Sequence, residues 1–499
     1  MSGFYIKKVI AKSAVKGDAS VTFGKGLIII QGRSDSGKTC VANCIDFIFG
    51  GSVDKPFKET AKYDGVSMIV ASNDNEGKVT LHRTIGKNQV EVSSNIEGIA
   101  SGTYDVNYRK GAKNPPLNEV WLKLIGIEQE TMIVANARFE KKRLTWRNLL
   151  RVFYLDENRV DDIDSIVEPK HRYMENTLFL SALLFLITGR TFTETDAQEK
   201  KEIKKARRVA VKEYVNRKIQ DAAERKEQLE KDLHIFEGAD VAQLSGLEDT
   251  EKDVEDRKKE IRAELEELKR QRDALESKIK TELRPQENEQ QNTVNAYKSY
   301  LRISSEIALI ETYATDFGND LTALETEQKD DKSIEYHPKD YFGDDFATTM
   351  SEYADSILKE CCYSGLLRAH FNFSTFDIEV NGEDKGTSHG KGYRSYLNTV
   401  MIMMLRKYLS VNAKFDPHIF IIDTPLHGFD DGMDETMPDS IRAGLYRYFM
   451  NHQDEGQLII IENLDHIPHL DYEKHGAVVE TFEKIESPGK RYGFLNDVK

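Results

Sequence analysis

Cysteine is scarce in this chain, four in 499 residues, and none of the four stands at a spacing that a disulfide framework or a zinc site requires. Cys40 and Cys44 lie one helical turn apart and Cys361 and Cys362 are adjacent, so they are expected to be small buried side chains in a reducing compartment. Long apolar runs are missing too. The longest, Thr177 to Thr188, is too short to span a bilayer, and the N-terminus MSGFYIKKVIAKSAV lacks the apolar core of a signal peptide. The expectation is a cytoplasmic protein that does not enter a membrane. Nor is there an excess of positive charge. Seventy Lys and Arg against 85 Asp and Glu leave a formal net charge of −15, which excludes bulk attraction to nucleic acid and confines any such contact to a local basic patch. Apolar residues are ample at 39%, enough for a real core in a chain long enough for about two or three domains.

The stretch QGRSDSGKTC, from Gln31 to Cys40, fits the pattern GxxxxGK followed by Ser or Thr. Before it, GLIII (Gly26 to Ile30) reads as a short buried strand; after it, Thr39 to Gly50 reads as an apolar helix. A strand, a glycine loop and a helix are what a phosphate cradle needs. Backbone N–H groups of the loop and helix start, across Gly32, Ser34, Asp35, Ser36, Gly37, Lys38, Thr39 and Cys40, are expected to face the phosphates of ATP. Lys38 should reach the β and γ oxygens, and the Thr39 hydroxyl should coordinate Mg²⁺.

Around this loop, Phe4 to Ile10 and Ala19 to Phe23 predict a hairpin, and Val66 to Ala71, Val79 to Thr84 and Gln89 to Val92 predict an antiparallel layer beside the nucleotide sheet. An apolar helix is expected over Asn176 to Leu186. Near Thr191 charged residues take over and glycine becomes scarce. Val254, Ile261, Leu268 and Leu275 then recur every seven residues, with Leu265 and Ile279 between them, a coiled-coil pattern with Lys258 and Arg272 in its seam. The expected layout is an outgoing helix (Ala197 to Leu233), a tip near Gly238 to Gly246, and a returning helix ended or kinked by Pro285. Globular patterning resumes near Tyr336, with a helix over Phe346 to Leu367 and a strand over Phe371 to Val380. A glycine-bearing loop from Thr387 to Gly392 then feeds a long apolar helix. The strand His418 to Ile422 ends in Asp423, which is how a P-loop enzyme places its second Mg²⁺-directed carboxylate. A last strand, Gln457 to Ile461, carries Glu462 and Asn463 just beyond it.

With this order of motifs the chain resembles the ABC-type ATPases of the SMC, RecF and RecN kind, whose head is split by a coiled-coil insertion. GKGYRSYLN with IIDTPLHGFD looks like a divergent bacterial branch often associated with anti-phage defence. The resemblance implies an α/β fold: a P-loop head split into lobes at residues 1–190 and 331–499, with an antiparallel coiled-coil arm over 191–330. It also implies a signature loop at SHGKG (Ser388, Gly390, Gly392) and a lever-loop residue at Glu157 or Asn158. Lys391 would supply charge to a γ-phosphate across a head-to-head dimer. Thr424 stands where the family carries its catalytic glutamate, and Glu462 and Asn463 replace the switch histidine. Since the last strand of a doubly wound sheet lies close to the Walker B strand, Glu462 is the substitute base and Asp430 the alternative.

The function these calls imply is an ATPase whose heads dimerise around ATP to sense or clamp duplex DNA, in genome maintenance or anti-phage defence. The other reading is a weakly hydrolysing, nucleotide-gated scaffold that holds a nuclease or toxin effector. For DNA, the local basic patch is KKEIKKARRVAVKEYVNRK at the root of the arm, with Lys204, Lys205, Arg207 and Arg208 at its centre.

Overall fold

The computed structural model describes residues 3–52, 56–57, 61–74, 76–107, 111–169, 173–234, 298–300, 302–304, 306–307, 310, 334–343, 345–388, 390–428, 439–484 and 491–496. The chain divides into two units. One comprises Met1–Ala197 with Glu335–Lys499, the other Gln198–Ile334.

In the first unit, β1 (Phe4–Lys12) and β2 (Ala19–Thr22) form a hairpin, β3 (Leu27–Gly32) leaves for a second sheet, and α1 (Lys38–Ile48) follows the glycine loop. The chain then returns through β4 (Gly65–Ser72), β5 (Lys78–Thr84), β6 (Gln89–Ser94) and β7 (Gly102–Asp105) to complete an antiparallel sheet of order β2-β1-β4-β5-β6-β7. Alternation in KVTLHRT puts Val79, Leu81 and Arg83 on the inner face of β5, each fully buried. Arg83 earns its burial by capping α1. Its Nη1 donates to Phe47 O at 2.5 Å and Gly51 O at 2.9 Å, and its guanidinium lies 4.0 Å from the Phe47 ring centroid. Carbonyls at a helix end otherwise lack partners, so this one cation ties the antiparallel sheet to the P-loop helix.

Next come α2 (Asn118–Leu124), the two-stranded ribbon β8 (Met132–Val134) and β9 (Lys141–Arg143), α3 (Trp146–Phe153), the short β10 (Tyr154–Leu155) and α4 (Tyr173–Thr188). Thr145 and Asn148 start α3 with a reciprocal capping box. The two tryptophans, Trp121 and Trp146, stack with centroids 5.6 Å apart.

Helix α5 (Glu194–His234) lies mostly in the second unit. There, Arg225 Nη2 is 3.2 Å from Glu306 Oε1, and Leu229 and Ile303 are buried. The heptad residues Val254 to Ile279 lie outside the described residues. Lys204, Lys205, Arg207 and Arg208 fall on α5, but their side chains are outside the described set.

The returning chain supplies α6 (Phe346–Glu360), β11 (Ala369–Asn372), β12 (Asp377–Val380), β13 (Glu383–Asp384), α7 (Lys391–Asn412), β14 (Ile419–Asp423), α8 (Asp439–Asn451), β15 (Gln457–Asn463) and β16 (Val478–Phe482). The second sheet has the order β10-β14-β15-β3-β16 and is parallel throughout. Its central strands read IFIID, QLIIIEN and LIIIQG because a parallel sheet is buried on both faces and has no polar side to alternate with. Within this sheet β3, the strand earliest in the chain, pairs with β15 and β16 from the other end of the chain.

Several expectations need correction. β15 is not the last strand: β16 follows and takes the far edge beside β3, and Glu462 and Asn463 are inside β15, in register with Gln31 and Gly32. Phe371 to Val380 is a hairpin, because Asn372 Oδ1 accepts from the N–H groups of Ser374 (2.9 Å) and Thr375 (3.3 Å), and Phe376 takes a left-handed φ of 55°. The helix from Phe346 stops at Glu360, with Cys362 left-handed at φ 56°. Of the cysteines, Cys44 and Cys361 are buried, Cys40 is half-buried and Cys362 exposed. No helix among the described residues is long and apolar enough to cross a membrane.

Candidate nucleotide site

All five strands of the parallel sheet point the same way, so the carboxyl ends of β3, β14 and β15 meet on one edge, where ligands of open α/β sheets bind. The P-loop leaves β3 there. Asp35 and Gly37 adopt φ of 61° and 86°, the second as the N-cap of α1. A Cβ on Gly32 would lie 2.5 Å from Phe482 O of β16 and 2.5 Å from Ser36 Oγ, so only glycine closes the loop at that point. Lys38 folds back onto the loop, donating from Nζ to Gly32 O at 2.6 Å and Arg33 O at 2.9 Å.

Burial lowers the Lys38 pKa, opposed by the carboxylates of Glu462, Asp423, Glu157 and Asp35. These carboxylates come from four separate segments of the chain. Asp423 is 2% exposed. Burial first, then Glu157 and Glu462, push its pKa up to about 8 against the pull of Lys38. Its Oδ1 is buried and has no hydrogen-bond partner among the described residues, and the same holds for Ser36 Oγ. Buried acceptors crowded with like charge, beside a glycine cradle that a Cβ would fill, suit a divalent cation and a phosphate chain. Asp423 and the exposed Thr39 are the residues that could hold Mg²⁺.

Glu462 is fully buried and its carboxylate is held on both oxygens. Oε2 accepts from Leu426 N–H at 2.9 Å; Oε1 accepts from Asn463 N–H at 2.6 Å and lies 3.0 Å from His466 Nδ1. His466, itself 8% exposed, was missed by sequence reasoning, since nothing in LDHIPH marks one histidine as inward-facing. Thr424 is the other surprise. It adopts a left-handed φ of 55°, rare for a β-branched residue, with its N–H on Ile461 O at 2.7 Å and its Oγ1 donating to Asp423 O at 2.8 Å. Glu157, one of the two lever-loop alternatives, acts on both Lys38 and Asp423 through its charge.

The glycine-bearing loop sits elsewhere on the C-terminal lobe. Lys385–Ser388 forms a short helical turn, Gly390 caps α7, and Lys391 and Gly392 are its first residues. Lys391 Nζ is 3.6 Å from Asp161 Oδ2, and its stem packs where a Cβ on Gly428 would be, 2.7 Å from Lys391 Cγ. Ser395 Oγ donates to His427 O at 2.8 Å, and Asn398 Nδ2 donates to Val160 O at 2.9 Å and Asp162 O at 3.0 Å. The start of α7 is thus fastened to the loops after β14 and β10. The Ser388 side chain, His389 and Asp430 lie outside the described residues.

Residues 12–306 match the family described as AAA domain. The chain belongs to that family. Among solved structures this AAA domain protein is similar to the Smc head with an extended coiled coil, bound to the C-terminal domain of ScpA, from Pyrococcus furiosus. Identity there is 12% over 93% of this chain and 91% of that one, with a TM-score of 0.35. It is also similar to the Smc head with a coiled coil and joint from Pyrococcus yayanosii (13%, 98% and 96%, TM-score 0.41). A third is the recombination mediator protein RecF of the RecFOR pathway (14%, 97% and 96%, TM-score 0.30). At these scores the likeness carries no residue-level correspondence. A search of curated proteins returns no match. The family match agrees with the reading of GRSDSGKT as a P-loop.

Proposed function

We propose that this AAA domain protein is an ATPase whose P-loop head binds Mg²⁺-ATP, pairs with a second head through the start of α7, and uses the nucleotide state to hold or release duplex DNA. One arrangement carries the nucleotide reading: Lys38 sits on the glycine-loop carbonyls beyond β3, while the buried Asp423, its Oδ1 without a partner among the described residues, and the buried Glu462 stand at the carboxyl ends of β14 and β15 in the same parallel sheet. Lys38 exchanges its loop carbonyls for phosphate oxygens. Thr39 and Asp423 would hold Mg²⁺, and that ion would supply positive charge against the phosphates. Glu462 is the carboxylate offered for the attacking water, replacing the residue that Thr424 displaces. Its two anchored oxygens restrict it to a lone pair not already engaged, which favours slow turnover. The partner head would meet Ser388, Gly390, Lys391 and Gly392 as its γ-phosphate contacts.

The arm is part of the same proposal. The Arg225–Glu306 pair, joining positions far apart in sequence within the second unit, supports an antiparallel return. The basic run on α5 is the candidate DNA contact, and cytoplasmic genome maintenance or anti-phage defence is the setting. The scaffold reading, in which slow hydrolysis times the release of a nuclease or toxin partner, draws support from Thr424 and from the engaged Glu462. Sizing the purified protein with and without Mg²⁺-ATP, and comparing turnover with and without duplex DNA, separates the two. An ATP-dependent dimer with DNA-stimulated turnover supports the DNA machine; a dimer indifferent to DNA supports the scaffold; a monomer with no ATP binding removes both.

A further inference from the structure

The end of the chain comes back to the P-loop. Just past β16, Arg491 O accepts from Glu483 N–H at 2.8 Å and Gly493 N–H donates to Glu483 O at 3.0 Å, so this segment runs beside the end of that strand. Further on, Asn496 N–H donates to Tyr63 Oη at 2.8 Å and Asn496 Nδ2 to Asp18 O at 3.3 Å. Tyr63 packs on Phe57 with 5.4 Å between centroids, and the neighbouring Pro56 O accepts from Cys40 Sγ of α1 at 3.3 Å. Residues 491–496 are therefore tied at one end to the parallel sheet and at the other to the loops before β2 and after α1.

Between these ties the segment lies against the glycine loop. A Cβ on Gly493, whose φ is 59°, would be 3.3 Å from Ser36 O, and a Cβ on Gly37 would be 3.5 Å from both Cβ and N of Phe494. Phe482 O, at the end of β16, stands 2.5 Å from where a Cβ on Gly32 would be. The segment is itself firmly held. Phe482 and Phe494 are each 1% exposed, with ring centroids 6.1 Å apart at 26°. The Arg491 guanidinium lies 4.8 and 5.8 Å from those two centroids. It donates from Nε to Gly493 O at 3.2 Å and from Nη2 to Phe494 O at 3.3 Å, while Nη1 faces Glu480 Oε2 at 3.4 Å.

The loop needs such support. Asp35 and Gly37 hold left-handed φ values, and backbone of that kind keeps its shape only where its surroundings over-determine it. Within the loop, Lys38 braces the carbonyls of Gly32 and Arg33. Phosphate binding takes that ammonium away from both carbonyls, so the loop gives up these braces at the moment its N–H groups must point at the ligand. Contacts from residues 491–496 do not involve Lys38 and are unaffected by its departure. We propose that residues 491–496 are a strap that fixes the glycine loop in its phosphate-binding shape, with Gly493 and Phe494 as its positioning residues. This role rests on the proposed ATP site and gives neither residue a contact with the nucleotide.

The test is calorimetric titration of the full chain with Mg²⁺-AMP-PNP, at a temperature where melting curves show each variant folded. Phe494→Ala removes the ring beside Gly37, and Gly493→Ala pushes a methyl group toward Ser36 O. Each should weaken binding about fivefold or more, since small displacements of a binding loop are costly. Phe371→Ala truncates an equally buried ring of β11, outside the parallel sheet. It should lower the melting temperature comparably and leave affinity within about twofold, which is also what a merely structural role for Phe494 would give. If Phe494→Ala does not fold, Gly493→Ala decides. A loss below about fivefold in the strap variants, an equal loss in Phe371→Ala, or failure of both strap variants to fold overturns the strap alone. Absence of binding by the wild-type chain overturns the ATP reading, and the strap with it.

Discussion

Glu462 Oε2 accepts the backbone N–H of Leu426 at 2.9 Å, bridging the end of β15 to the turn that follows Asp423. The same carboxylate takes Asn463 N–H and faces His466, so its position is set from three directions. Glutamine keeps the shape but offers one acceptor, and its amide group must then oppose one of these donors. Glu462→Gln should retain ATP binding and dimerisation and lose hydrolysis, whereas Thr424→Ala should have a smaller effect. Single-turnover hydrolysis with dimerisation confirmed by sizing checks this; wild-type turnover in Glu462→Gln would move the role to Asp430 or show that no protein base is used.

Lys38 is the buried cation at the meeting point of the site's carboxylates. Removing it takes away the main positive charge facing the β and γ phosphates and leaves Asp423 and Glu157 to repel them. Lys38→Ala should therefore abolish ATP binding, measured by calorimetry. Wild-type affinity in the variant would mean that this glycine loop is not a phosphate cradle.

Thr424 offers a stability test that needs no ligand. At φ 55° a residue with a Cβ is disfavoured by about 1–2 kcal/mol, a burden that alanine still carries and glycine does not. Glycine's greater freedom in the unfolded chain returns part of that gain. Thr424→Gly should accordingly be more stable than Thr424→Ala by roughly 0.5–1 kcal/mol, the reverse of the usual order, read from urea midpoints. An alanine variant at least as stable as the glycine one would mean that this turn is not held left-handed in solution.

Much of the head was legible because burial on both faces leaves a plain mark: GLIII, HIFIID and QLIII could hardly be anything but central strands, and the loop after GLIII carries its own glycines. The antiparallel layer was equally open to reading, since KVTLHRT and its neighbours alternate. What escaped notice depends on distant pairing. β10 is two residues long, and β16, half-buried along most of its length, exists as a strand because β3 has a free edge. The split of Phe371 to Val380 turned on one Asn side chain competing with the ladder. The setting of Glu462 could not be foreseen, because its partners Leu426 and His466 become neighbours only when β14 and β15 lie side by side.

On α5, the basic run that includes Lys204, Lys205, Arg207 and Arg208 reverses the sign of a chain of net charge −15. If it contacts phosphates, each lost contact removes about one counterion from the salt dependence. Reversing these four charges should weaken duplex DNA binding and flatten the slope of affinity against salt, followed by fluorescence anisotropy across a salt titration. An unchanged slope would remove the DNA contact from this helix.

His452 makes the stability of the C-terminal lobe pH-dependent. Its Nδ1 lies 3.2 Å from Glu455 Oε1 and its Nε2 3.0 Å from Glu360 Oε2, so each ring nitrogen faces a carboxylate from a different segment. A neutral imidazole donates from one nitrogen only, and the other would then turn a lone pair toward a carboxylate; the doubly protonated ring satisfies both. The Glu455 hydrogen bond, with help from Glu360 and against the effect of burial, raises the His452 pKa above its ordinary value. Because the folded-state pKa is the higher one, the contribution is fully present below the unfolded value of about 6.5 and is lost as pH rises through the folded value. The melting temperature of His452→Gln should thus fall furthest below wild type at pH 6 and approach it by pH 9. A difference constant across that range would mean that the ring stays neutral and contributes only through its stacking on Tyr448, whose centroid is 4.1 Å away.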